Sequence, residues 1–407
     1  TCFCATLDRE ALAKQVLEAT GEDGFFAAHI ASRPHLFSGV PVFLPRADLD
    51  AMLAIVRAIE AAARHPGYME AVLGRAAEIA RHDFGPAGAF MSYDFHLDEG
   101  PPRLIEVNTN AGGALLNAFA ARAQLACCDL VEPLKAGLQI AGFDAAVIAM
   151  FESEWRRQRG TGRPRRIAIV NNVPHEQYLY PEFMLARRLF EAYGIPVVIA
   201  DPAELTRQGG QLYARGEPVD LVYNCLVDFA FDKARHRTLR EAYLAGEVVI
   251  TPNPRHHALL ANKRNLTLLS DLAVLEAWGL PPEMREALST IPRTVLVGRG
   301  NAEALWANRK KLFFKPVSGH GGKAVYRGDK FTRAVWAEIL ASDYVAQNLV
   351  RPAERLVIVD GIAVPRKTDV RLYSYDGNLL LTAARLFQGQ TTNFCTPGGG
   401  FAPVFFV

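Results

Sequence analysis

Two carboxylates and an amide fall in one predicted hairpin, and no other feature constrains this chain as strongly. Tyr93-Asp94-Phe95-His96-Leu97 and Leu104-Ile105-Glu106-Val107-Asn108 alternate in polarity. The turn between them, Asp98-Glu99-Gly100-Pro101-Pro102, carries the Gly and Pro that stop either strand from running on. Side chains two apart on a strand share a face, so Glu106 and Asn108 point the same way. Symmetric pairing about the turn places Asp94 opposite Glu106. Two carboxylates and an amide oxygen then converge. Such hard donors suit Mg²⁺, which takes one or two carboxylates and completes its shell with water and phosphate. An ordinary exposed hairpin with a polar face is the plainer alternative, and the Asp at hairpin register weighs against it.

A chain of 407 residues is too long for one simple core, so two or three domains are expected. Lys plus Arg (45) nearly balances Asp plus Glu (43), which gives no global attraction to nucleic acid or membrane. No apolar run approaches the roughly 20 residues of a membrane span. Thr1 to Asp8 lack the basic and apolar regions of a secretory signal, and the missing initiator Met leaves room for an upstream piece. Cys2, Cys4, Cys127, Cys128, Cys225 and Cys395 form no zinc-like spacing, so a reducing cytoplasm is expected.

The chain divides into an N-terminal helical region (1–83), the acidic hairpin with further helix (84–160), a parallel α/β unit (161–260) and an α+β region (261–407). Residues 7–82 are rich in Ala and Leu with helical periodicity, and helix is expected again over 113–158. In the third unit, Arg166 to Val170, Ile195 to Ala200 and Val219 to Asn224 read as buried strands. A helix from Pro181 to Tyr193, stopped by Gly194, separates the first two. Strand–helix–strand alternation implies a parallel sheet. Beyond Lys310 short strands and hairpins take over, including one around Asp376-Gly377.

Lys315-Pro316-Val317-Ser318-Gly319-His320-Gly321-Gly322-Lys323 follows the apolar Leu312-Phe313-Phe314. A Lys at a strand end before a Gly-rich turn can cover a triphosphate, because Gly admits backbone N–H groups to the oxygens and Lys adds a point charge. A hairpin with a Gly-rich turn is the equal alternative. Lys263 opens a predicted helix running through Leu272, Gln347-Asn348-Leu349 lies on a strand, and Asp369, Arg371 and Arg385 sit on the last hairpin. Asn393 to Gly400 is a loop able to approach a ligand.

In this order the residues resemble the ATP-grasp ligases, in particular the circularly permuted branch with eukaryotic-type glutathione synthetase and glutathionylspermidine synthetase. The resemblance covers roughly 84–120 and 165–407. It implies a permuted ATP-grasp fold with an inserted parallel α/β domain on the substrate side. It further implies that Asp94, Glu106 and Asn108 hold Mg²⁺, and that Lys263 and Lys315 contact the phosphates and the adenine side of ATP. Gly319 to Lys323 would be the lid, Gln347 to Leu349 the adenine hinge, with Asp369 and Arg371 beside the nucleotide. Arg385, with Lys315, would stabilise the transferring phosphoryl group. Weaker expectations for substrate contacts are Asn110, Asn224, Asp228, Asn393, Gly398 and Gly399.

The chain also departs from glutathione synthetase: Ser92 stands where an Arg is expected, Phe387 where a Lys is, and no Glu begins the Gly-rich loop near Gly319. These differences argue against γ-glutamylcysteine as substrate. The implied activity is an ADP-forming carboxylate–amine ligase acting on small molecules: amino acids, peptides or polyamines. A decayed nucleotide-binding module working through a partner is the alternative. A dinucleotide oxidoreductase is disfavoured, because Asn171-Asn172-Val173-Pro174-His175 follows the first α/β strand in place of a glycine fingerprint. The oligomeric state stays open, a homodimer included.

Overall fold

The computed structural model describes residues 6–98, 100–125, 140–319, 324–390 and 396–407. Among them no helix is long and apolar enough to cross a membrane.

The largest sheet has seven strands. Its order is Val42–Leu44, Gly400–Phe406, Asn378–Phe387, Ile362–Tyr375, Met91–His96 and Arg103–Asn108, with Ala353–Val359 paired to one end of Ile362–Tyr375. An early hairpin is thereby stitched to a late strand, Arg371 lying opposite Asp94. The late hairpin turns at Asp376 and Gly377, whose φ angles of +49° and +75° match the twist of the paired strands. Helix Arg46–Ala63 packs its buried stripe of Ile55, Val56 and Ile59 into the core formed with Tyr93, Leu372 and Val404.

The strand Val42–Leu44 runs parallel to Gly400–Phe406 and adds a short strand to the N-terminal region expected as helical. Three residues between Pro41 and Pro45 are too few to display a period of two, and their pairing comes from the far end of the chain.

The α/β unit forms a four-stranded parallel sheet ordered Val249–Thr251, Leu221–Asn224, Ile167–Val170 and Val197–Ala200. The two central strands are buried along their whole length, as their unbroken apolar runs require. A third sheet, Thr294–Leu296, Tyr344–Asn348, Leu312–Pro316 and Tyr326–Arg327, is antiparallel. Helix Arg333–Leu340 closes it through Trp336 and Ile339 against Phe314. The helix expected from Lys263 through Leu272 is broken. A 3₁₀ turn, Lys263–Asn265, leads into Leu266–Leu269, and a new helix starts at Leu272. Ser270 and Asp271 leave the helical path for the third sheet, where Thr294 N–H donates to Ser270 Oγ (3.0 Å) and Arg293 pairs with Asp271 (2.9 Å).

Candidate functional site

The acidic hairpin closes in the predicted register, Asp94 against Glu106. Its other neighbour sets Arg371 against Asp94, and the next strand sets Arg385 against Asp369. Asp369 and Arg371 are two apart, so four charges of alternating sign share one face of the sheet. Arg371 Nε and Nη2 donate to Asp94 Oδ1 (2.7 Å) and Oδ2 (2.8 Å). Arg385 Nη2 donates to Asp94 Oδ2 (2.8 Å) and Asp369 Oδ2 (2.8 Å), while its Nε donates to Asp369 Oδ1 (2.8 Å). Burial pushes the Asp94 carboxyl up, yet Arg371 and Arg385 outweigh it and hold the group at about 2. Asn108 Nδ2 adds a further bond to Asp94 Oδ2 (3.0 Å). Asp94, expected among metal ligands, has both oxygens engaged by guanidinium groups.

Above this ladder lies a cavity of about 870 Å³ between the seven-stranded sheet and the third sheet. Glu106, Asn108, Lys263, Lys315, Gly319, Gln347, Asn348, Leu349, Arg371 and Arg385 all line it. Asp94 and Asp369 lie beneath. Lys315 is buried and donates to Gln347 Oε1 (2.7 Å) and Ile105 O (3.0 Å). Burial, aided by Lys263, pushes its ammonium down to about 8. Lys263 Nζ donates to Gly319 O (2.9 Å) and stands 3.7 Å from Glu106 Oε2, tying the hairpin to the root of the Gly-rich loop. Burial raises Glu106, but the nearby Lys263 draws its carboxyl below the ordinary value, so Glu106 is ionised. Backbone bonds Asn348 N–H to Arg293 O (2.9 Å) and Leu349 N–H to Lys311 O (2.8 Å) fix the segment expected as a hinge.

The cavity also holds residues that pattern reading overlooked. His96 sits two positions beyond Asp94 on the hairpin, with Nδ1 3.0 Å from Val350 O. Arg327, Arg351, Lys367, Glu354 and Gln390 complete the rim with Asp98 and Phe387. The signal for His96 and Lys367 was available: each lies two residues from a residue already singled out. Seven cationic side chains (Lys263, Lys315, Arg327, Arg351, Lys367, Arg371, Arg385) against three carboxylates (Asp98, Glu106, Glu354) make the space suited to a polyanion.

The weaker substrate expectations fall elsewhere. Asn224 is fully buried, with Nδ2 donating to Pro252 O (3.1 Å) and Oδ1 accepting from Leu226 N–H (3.1 Å), so its amide is consumed in joining two loops. Asn110 donates to Leu226 O (2.6 Å). Asp228 accepts from His236 Nδ1 (2.7 Å) and borders a different, smaller cavity. Gly398 and Gly399 lie in a turn where Gly399 N–H bonds Thr396 O (2.7 Å), away from the 870 Å³ cavity. His320, Gly321, Gly322, Lys323 and Asn393 lie outside the described residues. Arg255-His256-His257 gives no metal pair: His256 Nδ1 accepts from Asn253 N–H (3.1 Å) as part of a helix cap, and His257 stacks on Phe229 at 4.4 Å.

No family model and no curated protein matches the chain. Solved structures do. A glutathione synthetase-like effector from Globodera pallida, in its apo form, aligns with a TM-score of 0.59 at 14% identity over 98% of each chain. A protein from Methylobacillus flagellatus KT, provisionally named gamma-glutamylcysteine synthetase, aligns with a TM-score of 0.50 at 12% identity over 87% of each chain. The chain has an ATP-grasp fold. In this fold, the cavity between the seven-stranded sheet and the third sheet collects the basic residues and the Glu106–Asn108 pair.

Proposed function

We propose that this protein is an ATP- and Mg²⁺-dependent carboxylate–amine ligase, ADP-forming, which builds an amide through an acyl-phosphate. The observation carrying the reading is the 870 Å³ cavity, in which Glu106 and Asn108 share a wall ringed by Lys263, Lys315, Arg371 and Arg385. Phosphoryl transfer asks a protein for positioning and charge neutralisation more than for covalent chemistry, and this set is built for that.

Glu106 is ionised, and Asn108 directs Nδ2 to Asp94, leaving Oδ1 for a cation. These two would hold Mg²⁺. Among the described residues no group of three or more His, Cys, Asp or Glu could hold a metal alone, so phosphate and water would complete the shell. An ion held by Glu106 and Asn108 would supply charge neutralisation to the transferring phosphates. Asp94 we assign to anchoring Arg371 and Arg385, in place of the metal.

Lys263 and Lys315 neutralise phosphate oxygens, and Arg385, clamped by two carboxylates, meets the transferring group without reorganising. An oxygen of the substrate carboxylate attacks the γ-phosphorus and the bond to ADP breaks. The amine nitrogen then attacks the acyl carbon, phosphate leaves and the nitrogen gives up a proton. The Gln347-Asn348-Leu349 segment lines the cavity where adenine would lie, and the Gly-rich segment from Gly319 shields the acyl-phosphate from water. We further read the chain as permuted and its divisions as 1–83, 84–160, 161–260 and 261–407. Supporting this, the early hairpin pairs with Ile362–Tyr375.

A second reading, a nucleotide-binding module without turnover, is favoured by Phe387 on the cavity wall. Phosphorus NMR of the protein with MgATP and pooled amino acids, small peptides and polyamines separates the two. ADP and phosphate that depend on the pool, and vanish in Glu106→Gln, are the expected result. AMP with pyrophosphate would sink the acyl-phosphate route, and tight MgATP binding without turnover in any pool would favour the second reading.

A further inference from the structure

A second cavity, of about 380 Å³, lies behind the nucleotide cavity, and the wall between them is one chain thick. Two segments build that wall. In the turn at 262–264, Lys263 faces the nucleotide cavity while Asn262 and Arg264 face the second one. In the segment 316–319, Pro316 and Gly319 face the first cavity, and Val317 and Ser318 the second. The Lys263–Gly319 bond (2.9 Å) joins the segments, so whatever fills the second cavity presses on residues of the first.

Two guanidinium groups line this second space, Arg75 and Arg264. Among the described residues neither has an ion-pair partner. Arg75 Nη2 donates to the Asn265 amide oxygen (2.9 Å), and that amide is itself fixed by bonds to Ala258 O (2.7 Å) and Leu259 O (2.9 Å). The Arg264 side chain has no hydrogen-bond acceptor among the described residues; its backbone N–H is held by Asn262 Oδ1 (3.0 Å). Arg75 is lowered first by burial and then by the positive charge of Arg264, so the two lie near enough to repel. Of the two acids on the lining, Asp228 already serves His236 Nδ1 (2.7 Å) and Lys233 N–H (3.2 Å), and Asp343 forms no ion pair with either guanidinium. Two like charges at one cavity wall, neither paired with a carboxylate among the described residues, form a site for an anion, and the fork of a guanidinium matches a carboxylate.

We propose that this second cavity binds a small molecule through its carboxylate, held by Arg75 and Arg264. The ligand is an effector that acts through the Lys263 wall, a role that rests on the ligase reading, since that wall separates its carboxylate from the first cavity. The site itself stands independently of that reading.

Calorimetric titration of the full chain with succinate and with L-glutamate, using putrescine as the cationic control, tests the site. At least one acid is expected to bind and putrescine not to. The double variant Arg75→Gln, Arg264→Gln should weaken the acid tenfold or more while MgATP affinity stays within twofold, and Arg264→Lys should retain part of the acid affinity. Binding of neither acid, unchanged binding by the double variant, or stoichiometric displacement of the acid by MgATP would each overturn the proposal. When MgATP is added, the acid should be recovered intact and shift MgATP affinity; an acid consumed with phosphate release would overturn its assignment as an effector. Failure of the wild type to bind MgATP would sink the ligase reading and leave the acid titration to judge the site.

Discussion

Arg371 grips Asp94 with both ends of its guanidinium fork, Nε to Oδ1 at 2.7 Å and Nη2 to Oδ2 at 2.8 Å, from directly across a strand pair. The carboxylate in the middle of the sheet is thus a structural anion as well as the floor of a basic cavity. Its removal strands two buried guanidinium groups.

Asp94→Asn is therefore expected to lower folding stability by about 3–5 kcal/mol, the cost of breaking a buried pair from one side. Urea denaturation should show this, while Glu106→Gln shifts the midpoint little and abolishes turnover. Wild-type stability in Asp94→Asn, with MgATP affinity alone reduced, would return Asp94 to the metal.

Lys315 carries the pH dependence. Its folded pKa of about 8 lies below the ordinary lysine value of 10.5. From pH 8 to 10.5 the unfolded chain keeps a proton that the native state has lost, so raising the pH across that window stabilises the fold. Below about 8 both states are protonated and the contribution is gone. Phosphate binding reverses the depression, so MgATP binding near pH 8.5 is expected to take up a proton, about half or more per site. Calorimetry in buffers of different ionisation enthalpy measures it, and Lys315→Arg should abolish it.

Gly400 admits no side chain. At φ +120° an added Cβ would stand 2.6 Å from Phe37 C and 2.7 Å from Ser38 N, backbone atoms of the segment that the last strand pins down. Gly400→Ala should cost more than about 3 kcal/mol or leave the protein insoluble. Gly39→Ala, with nothing within 4 Å, should stay within about 0.5 kcal/mol of wild type.

Glu182 caps the helix that follows the acidic hairpin, accepting from Leu115 N–H and Leu116 N–H at 3.0 Å each. Glu182→Ala leaves two buried donors bare and should cost about 2–5 kcal/mol. Hydrogen exchange at those two amides should accelerate more than elsewhere in the helix; uniform exchange across the helix would show that the carboxylate does not hold its start.

The Asp94–Glu106 pairing could be read in the chain because the Gly and Pro of the turn limit where the strands reverse and a period of two fixes the faces. A register shift between Asp94 and Phe95, which puts Phe95 against Leu104, was not legible there. The two central strands of the parallel sheet were legible for a different reason: burial on both faces demands an unbroken apolar run. Lys263, Lys315 and Arg385 were found by their order along the chain, and the cavity brings them together. Their partners were hidden. That Lys315 is buried against Gln347, that Arg371 and Arg385 occupy Asp94, and that Val42–Leu44 joins the last strand all depend on segments far apart in sequence. The partner of Asn224 was hidden for the same reason, since the Pro252 carbonyl that accepts from its amide belongs to another loop. Local pattern determines which side chains share a face, because backbone geometry repeats every two residues or every turn. Which charges meet, which are left without a counter-ion, and where space remains are decided only when distant strands pack.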